Sequence, residues 1–216
     1  GINPLALQIS NWVLDKTITF EIEDQHPTIN CLNGALDVFI DVFGVYVIST
    51  RSAPEDYVLH TAKILAEFID NNLDGVPDDF LVLSHLLQNN YVVPVWTSEI
   101  REKLIEACVT CWESAHGSLC ENQIGMAASM YYDEDEWALG GIIESRTWDT
   151  NLEEVWHVVS RGWYAAYPEA FGNDNDTNKT SLLRAAMDVA RGGHFDDVPS
   201  EHPAGAWYKY YDTSCG

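Results

Sequence analysis

The chain has 216 residues, 46% of them hydrophobic, enough for a sizeable core in one domain. With 11 basic against 34 acidic side chains its formal charge is −23, which excludes nucleic acid and anionic membrane surfaces as partners and favours metal ions or basic proteins. No apolar run reaches the length of a membrane span, so none is expected.

The chain begins at Gly1-Ile2-Asn3-Pro4, which fits a processed mature form and equally an expression remnant. Residues 35–50, rich in β-branched and aromatic types, predict one long bent strand or a hairpin around Gly44. Ser52-Ala53-Pro54-Glu55 has the spacing of a capping box and predicts a helix running to about Ile69. A short strand is predicted at Tyr91–Trp96, then a helix from about Ser98 to Ala115 with Gly117 as its stop. Residues 124–131 and 139–145 are apolar enough for strands. A helix opens near Thr150 and breaks at Pro168, and another covers Thr180–Arg191. The order predicts an α+β fold: residues 1–216 as a single domain, with a small β-sheet packed by several helices and room for two lobes around a cleft.

The run Asp70-Asn71-Asn72-Leu73-Asp74-Gly75-Val76-Pro77-Asp78-Asp79 follows the first helix and reads as a calcium loop. Ca²⁺ takes six to eight hard oxygens, and oxygen donors at positions 1, 3, 5, 7 and 9 with Gly at 6 supply them. Those places fall on Asp70, Asn72, Asp74, the Val76 carbonyl, Asp78 and Gly75. The loop resembles that of the EF-hand in shortened form, because Leu81 stands where the bidentate Glu is expected, so Asp79 or a distant carboxylate is needed to complete the site. The bland alternative is a polar turn in which Asp, Asn and Gly only supply left-handed backbone.

Glu153-Glu154-Val155-Trp156-His157 is the second chemical signal. In the HExxH motif of zinc metallopeptidases two ligands at i and i+4 share a helical face and the Glu between them polarises metal-bound water. This segment is similar, with Glu153 in place of the first His, His157 as the second ligand and Glu154 at the general-base position. The Glu-for-His exchange hardens the site, which leaves Zn²⁺, another metal, or none as its occupant. A capping box at Thr150-Asn151-Leu152-Glu153 would explain Glu153 without any metal. Gluzincin-type metallopeptidases, which this arrangement distantly resembles, take a third acidic ligand from a later helix, and Asp188 falls in such a place; Arg184 or Arg191 could satisfy it instead. His60, His194 and His202 are rival ligands, and His60 stands on the helix that ends in the calcium loop.

Five cysteines, Cys31, Cys108, Cys111, Cys120 and Cys215, leave at least one thiol unpaired in a monomer, with Cys108 expected free and buried and Cys111–Cys120 or Cys31–Cys215 as disulfides. Two sequons, at Asn175 and Asn178, add a signal for glycosylation and, with the cysteines and the calcium loop, for secretion. The calcium loop, the EExxH helix, then GWYAAYPEAFG and AAMDVARGG in that order resemble a group of poorly characterised secreted proteins. Two functions follow. One is a secreted, calcium-stabilised metallohydrolase, peptidase-like, acting on a peptide or basic protein. The other is a non-catalytic extracellular calcium or transition-metal binding protein, such as a matrix, storage or toxin-like component.

Overall fold

The computed structural model describes residues 19–30, 32, 33, 35–107, 124–172 and 181–209. All five cysteines, both sequons and the end of the helix predicted to reach Ala115 lie outside the described residues. The fold is α+β, with helices and a four-stranded mixed sheet in the order β1-β2-β3-β4. The chain divides into two compact units, Gly1–Val159 and Ser160–Gly216.

In the first unit, β1 (Val38–Val42) and β2 (Val45–Ser49) form an antiparallel hairpin with Val42 opposite Val45. Of the two readings of residues 35–50, the hairpin is the one formed. Its loop is Phe43-Gly44, both with positive φ (55° and 89°), the two-residue geometry that matches strand twist. Asp41 Oδ1 closes the turn by accepting the Gly44 N–H at 2.6 Å.

A crossover made of α1 (Glu55–Ile69) and α2 (Phe80–Gln88) carries the chain to β3 (Val92–Trp96), which lies parallel to β2 with Val47 opposite Val93. The two-residue β4 (Met130–Tyr131) adds in parallel beyond β3. Every residue of β2 and β3 is buried, as expected of strands inside a parallel sheet. Phe39, Ile48 and Trp96, fully buried, belong to the same core, and each such side chain contributes about 1.5–3 kcal/mol by leaving water. After β3 comes α3 (Ser98–Ala107).

Three expectations are corrected. Residues 139–145 hold no strand: Gly140 and Gly141, at φ 84° and 104°, turn the chain into α4 (Ile142–Ser145), a single turn with Ile143 91% exposed. Only Met130–Tyr131 of residues 124–131 pairs as a strand. The capping box at Ser52 does not form. Pro54 is the cap of α1 without a side-chain bond, and Ser52 Oγ instead meets Thr50 Oγ1 at 2.6 Å and Tyr132 Oη at 3.3 Å.

The long helix α5 (Asn151–Ala166) contains the point at which the two units are divided. As the sequence predicts, it stops ahead of Pro168, which opens the short α6 (Pro168–Phe171) at its first turn. In the second unit α7 (Leu182–Arg191) starts behind Ser181, whose Oγ accepts the Arg184 N–H at 3.3 Å, and ends at Gly192 in the left-handed region. Arg191 is buried with its guanidinium 5.5 Å from the Tyr208 ring centre. The aromatic run 162–172 packs partly on itself, Trp163 lying 5.3 Å from Phe171 between ring centres.

Candidate functional site

The calcium-loop sequence forms the connection between α1 and α2, so it is a helix-loop-helix. Asp70 ends α1, its N–H donating to Ala66 O at 2.8 Å, and is only 3% exposed. Its carboxylate reaches across the loop, accepting the Gly75 N–H on Oδ2 at 2.7 Å and the Asp74 N–H on Oδ1 at 3.2 Å. Asn72 Oδ1 accepts the Asp74 N–H at 2.8 Å, and Asp74 Oδ1 accepts the Val76 N–H at 2.9 Å. Asp78 closes the loop base: its Oδ2 accepts the Asn71 N–H at 2.8 Å and its own N–H donates to Ile69 O at 2.9 Å. Gly75 holds φ 88° with no neighbouring atom where a Cβ would stand, so it is the backbone conformation, not space, that calls for Gly.

Asp79 acts differently, as the cap of α2, with its Oδ1 accepting the Leu81 and Val82 N–H groups at 2.9 and 3.0 Å. Leu81, at loop position 12, sits 63% exposed in the first turn of α2 and offers no carboxylate. Charge is the unusual quantity. No Lys or Arg stands between Lys63 and Arg101, and among the described residues Asp70, Asp74 and Asp78 make no ion pair. Their oxygens face backbone amides, and among the described residues no three His, Cys, Asp or Glu side chains surround one point.

On α5, Glu153 and His157 are exposed one turn apart, and Glu154 is half-buried beside them. Burial pushes the Glu154 carboxyl above its usual range; His157 pulls it back in part, and Asp135 and Glu153 raise it further. Asp135 is likewise raised, first by burial, although its Oδ2 accepts the Tyr131 N–H at 2.6 Å. The capping box that would explain Glu153 without a metal does not form at Thr150. Thr150 binds Glu136 instead, its N–H donating to Glu136 O at 3.0 Å and its Oγ1 accepting the Glu136 N–H at 3.2 Å. The partners that would have tied Glu153 to the helix start are thus taken.

The rival ligand His60 is held by a residue that the sequence did not single out. Its Nε2 lies 2.5 Å from Asp149 Oδ2, with the two side chains 13% and 4% exposed. Asp149 Oδ1 accepts from Asn151 N and Nδ2 at 3.2 and 2.9 Å, and Asn151 Oδ1 accepts from Thr61 Oγ1 at 2.7 Å. Thr61 follows His60 in the chain, so four side chains close a buried circuit between α1 and the start of α5. Tyr57 and Trp137 stack beside it, 4.5 Å between ring centres and 11° from parallel. No local signal marks Asp149, which lies 89 residues from His60 in sequence.

In the second unit Asp188 faces cations: His194 Nδ1 at 2.7 Å and Arg191 Nη1 at 3.8 Å. His194 also meets Asp196 at 3.3 Å, and its pKa is raised, first by the hydrogen bond to Asp188. His202 stands edge-on to Phe195, 5.4 Å between ring centres. Comparison of the chain with protein-family models, with curated proteins and with solved structures returned no match.

Proposed function

We propose that this protein is an extracellular calcium-binding protein whose loop between α1 and α2 takes Ca²⁺. The ligands are Asp70, Asn72, Asp74, Asp78 and the Val76 carbonyl, with Asp79 serving mainly as the cap of the exit helix. The observation that carries the reading is the Asp70 carboxylate, buried and bonded to the Gly75 amide five residues on, in a loop where Asp70, Asp74 and Asp78 make no ion pair among the described residues. A buried carboxylate among others of the same sign is costly until a cation balances it. Hard oxygens at alternating positions suit calcium over softer metals. Secretion is supported by the sequons and cysteine count alone.

The test is a calcium titration of the chelator-treated protein by calorimetry, with Asp74→Ala as the control. One-site binding lost in the variant is expected. Coincident melting curves in calcium and in chelator would remove the assignment.

A second reading is favoured by one observation, the raised carboxyl of Glu154 between exposed Glu153 and His157. A carboxyl shifted toward neutrality suits a general base. In this reading Glu153 and His157 hold zinc or another transition metal, and the protein hydrolyses peptide or basic protein substrates. Elemental analysis of native protein tests it: metal lost in His157→Ala, with Glu154→Gln retaining metal but not activity, is the expected pattern. Absence of any metal besides calcium retires it.

A further inference from the structure

His60 of the His60–Asp149 circuit lines an open groove of about 540 Å³ in the first unit, within the size range of small-ligand sites. A carboxylate only accepts, so the proton between the two is on His60 Nε2, and Nδ1 is the nitrogen left to meet a ligand. A buried carboxylate that fixes the tautomer and angle of a groove-lining imidazole is more than a packing latch needs. The latch is already served by Thr61 and Asn151, which join the same two helices.

The rest of the lining indicates what would fit. Asp56, His60 and Lys63 lie along one face of α1 at i, i+4 and i+7, and Phe20, Leu59 and Leu139 supply apolar wall. Seven helical residues place the Cα atoms of Asp56 and Lys63 about 10 Å apart along the axis. Three extended peptide residues also span about 10 Å. Lys63 reaches Glu67 only at 3.8 Å, with both side chains substantially exposed, a pair that holds its ammonium weakly.

We infer that this groove binds a short zwitterionic peptide of about three residues. Its ammonium lies toward Asp56, its carboxylate toward Lys63, an apolar side chain against Leu59 and Leu139, and its central amide over His60 Nδ1. The site is separate from the calcium loop, and nothing in it requires the calcium reading. Asp149 is a positioning residue for His60.

The experiment is calorimetric titration of the full chain, with calcium in excess, by the tripeptide Ala-Leu-Ala and by its N-acetylated and C-amidated forms. Saturable one-site binding is expected for the free peptide. Blocking either terminus, or Asp56→Ala and Lys63→Ala separately, should weaken it about tenfold or more, the size of one charge-assisted hydrogen bond. Both variants are at exposed positions and should fold. On saturation the His60 Nδ1 resonance should move, and in Asp149→Asn that shift should shrink. No saturable heat at millimolar peptide, affinity indifferent to both charge variants, or a stationary Nδ1 resonance each overturns the proposal.

Discussion

The acidic loop at Asp70–Asp79 and the acidic turn at Asp188–Asp196 satisfy their carboxylates in opposite ways. In the loop, Asp70, Asp74 and Asp78 accept backbone amides and meet no cationic side chain among the described residues. In the turn, Asp188 meets His194 and Arg191. Amides orient a carboxylate without neutralising it, so the loop retains its net charge and should respond to an added cation. The turn carries its own counter-ions, one of which is the His194 imidazole with its pKa raised by Asp188, and should respond to pH.

The largest expected effect tests the loop. Calcium at a hundredfold excess over Kd should add about 2.7 kcal/mol of stability, since it binds only the folded state. For a chain of this length that corresponds to a rise in Tm of roughly 5–10 °C, measured by calorimetric melting in calcium against chelator. Asp74→Ala should remove most of the rise. An equal rise in that variant would place the ion elsewhere.

A smaller effect separates ligand from cap. Asp79→Ala should cost about 1 kcal/mol in urea unfolding, through the lost amide bonds at the start of α2. The cost should be the same in calcium and in chelator. A loss confined to calcium would make Asp79 a ligand first.

The turn yields a pH signature. Because Asp188 raises the folded-state pKa of His194 above 6.5, its contribution to stability is fully present below pH 6.5 and is lost as pH rises through the raised folded value. Imidazole titration by NMR should show the His194 midpoint above the ordinary value, falling in Asp188→Asn. An unmoved midpoint in the variant would deny the pairing in solution.

Glu154 gives the smallest expected effect. Its raised carboxyl favours the folded state while protonated, so the contribution is present below the usual Glu range and lost as pH rises through the folded value. Glu154→Gln should therefore leave the urea midpoint unchanged or slightly higher at pH 7. A clear drop would show that the ionised carboxylate makes a stabilising contact there.

How far each feature was legible follows from the range of the forces that make it. The closed turn at Asp70–Asp79 was legible because all of its bonds lie within ten residues: Asp70 to Gly75, Asn72 to Asp74, Asn71 to Asp78. The helix stop before Pro168 and the end of the last helix at Arg191 were local in the same sense. Both capping boxes failed for the converse reason. Ser52 and Thr150 have the right spacing, yet the Ser52 hydroxyl is taken first by its neighbour Thr50 and then by Tyr132, and the Thr150 hydroxyl by Glu136, which the fold brings near. Residues 139–145 form no strand because the paired glycines, Gly140 and Gly141, turn the backbone within an otherwise apolar run.

By itself the sequence determined the α+β character, the helix-loop-helix with its oxygen donors at alternating positions, and the excess of negative charge that no local basic residue relieves. Periodicity, turn chemistry and charge act over a few residues and need no fold to be read. Tertiary structure alone decided the pairing of His60 with Asp149, the circuit through Asn151 and Thr61, and the burial that raises Glu154. Hydrogen bonds between groups 89 or 90 residues apart, and the desolvation of a carboxyl, depend on which surfaces meet when helices pack, and no spacing along the chain encodes that meeting.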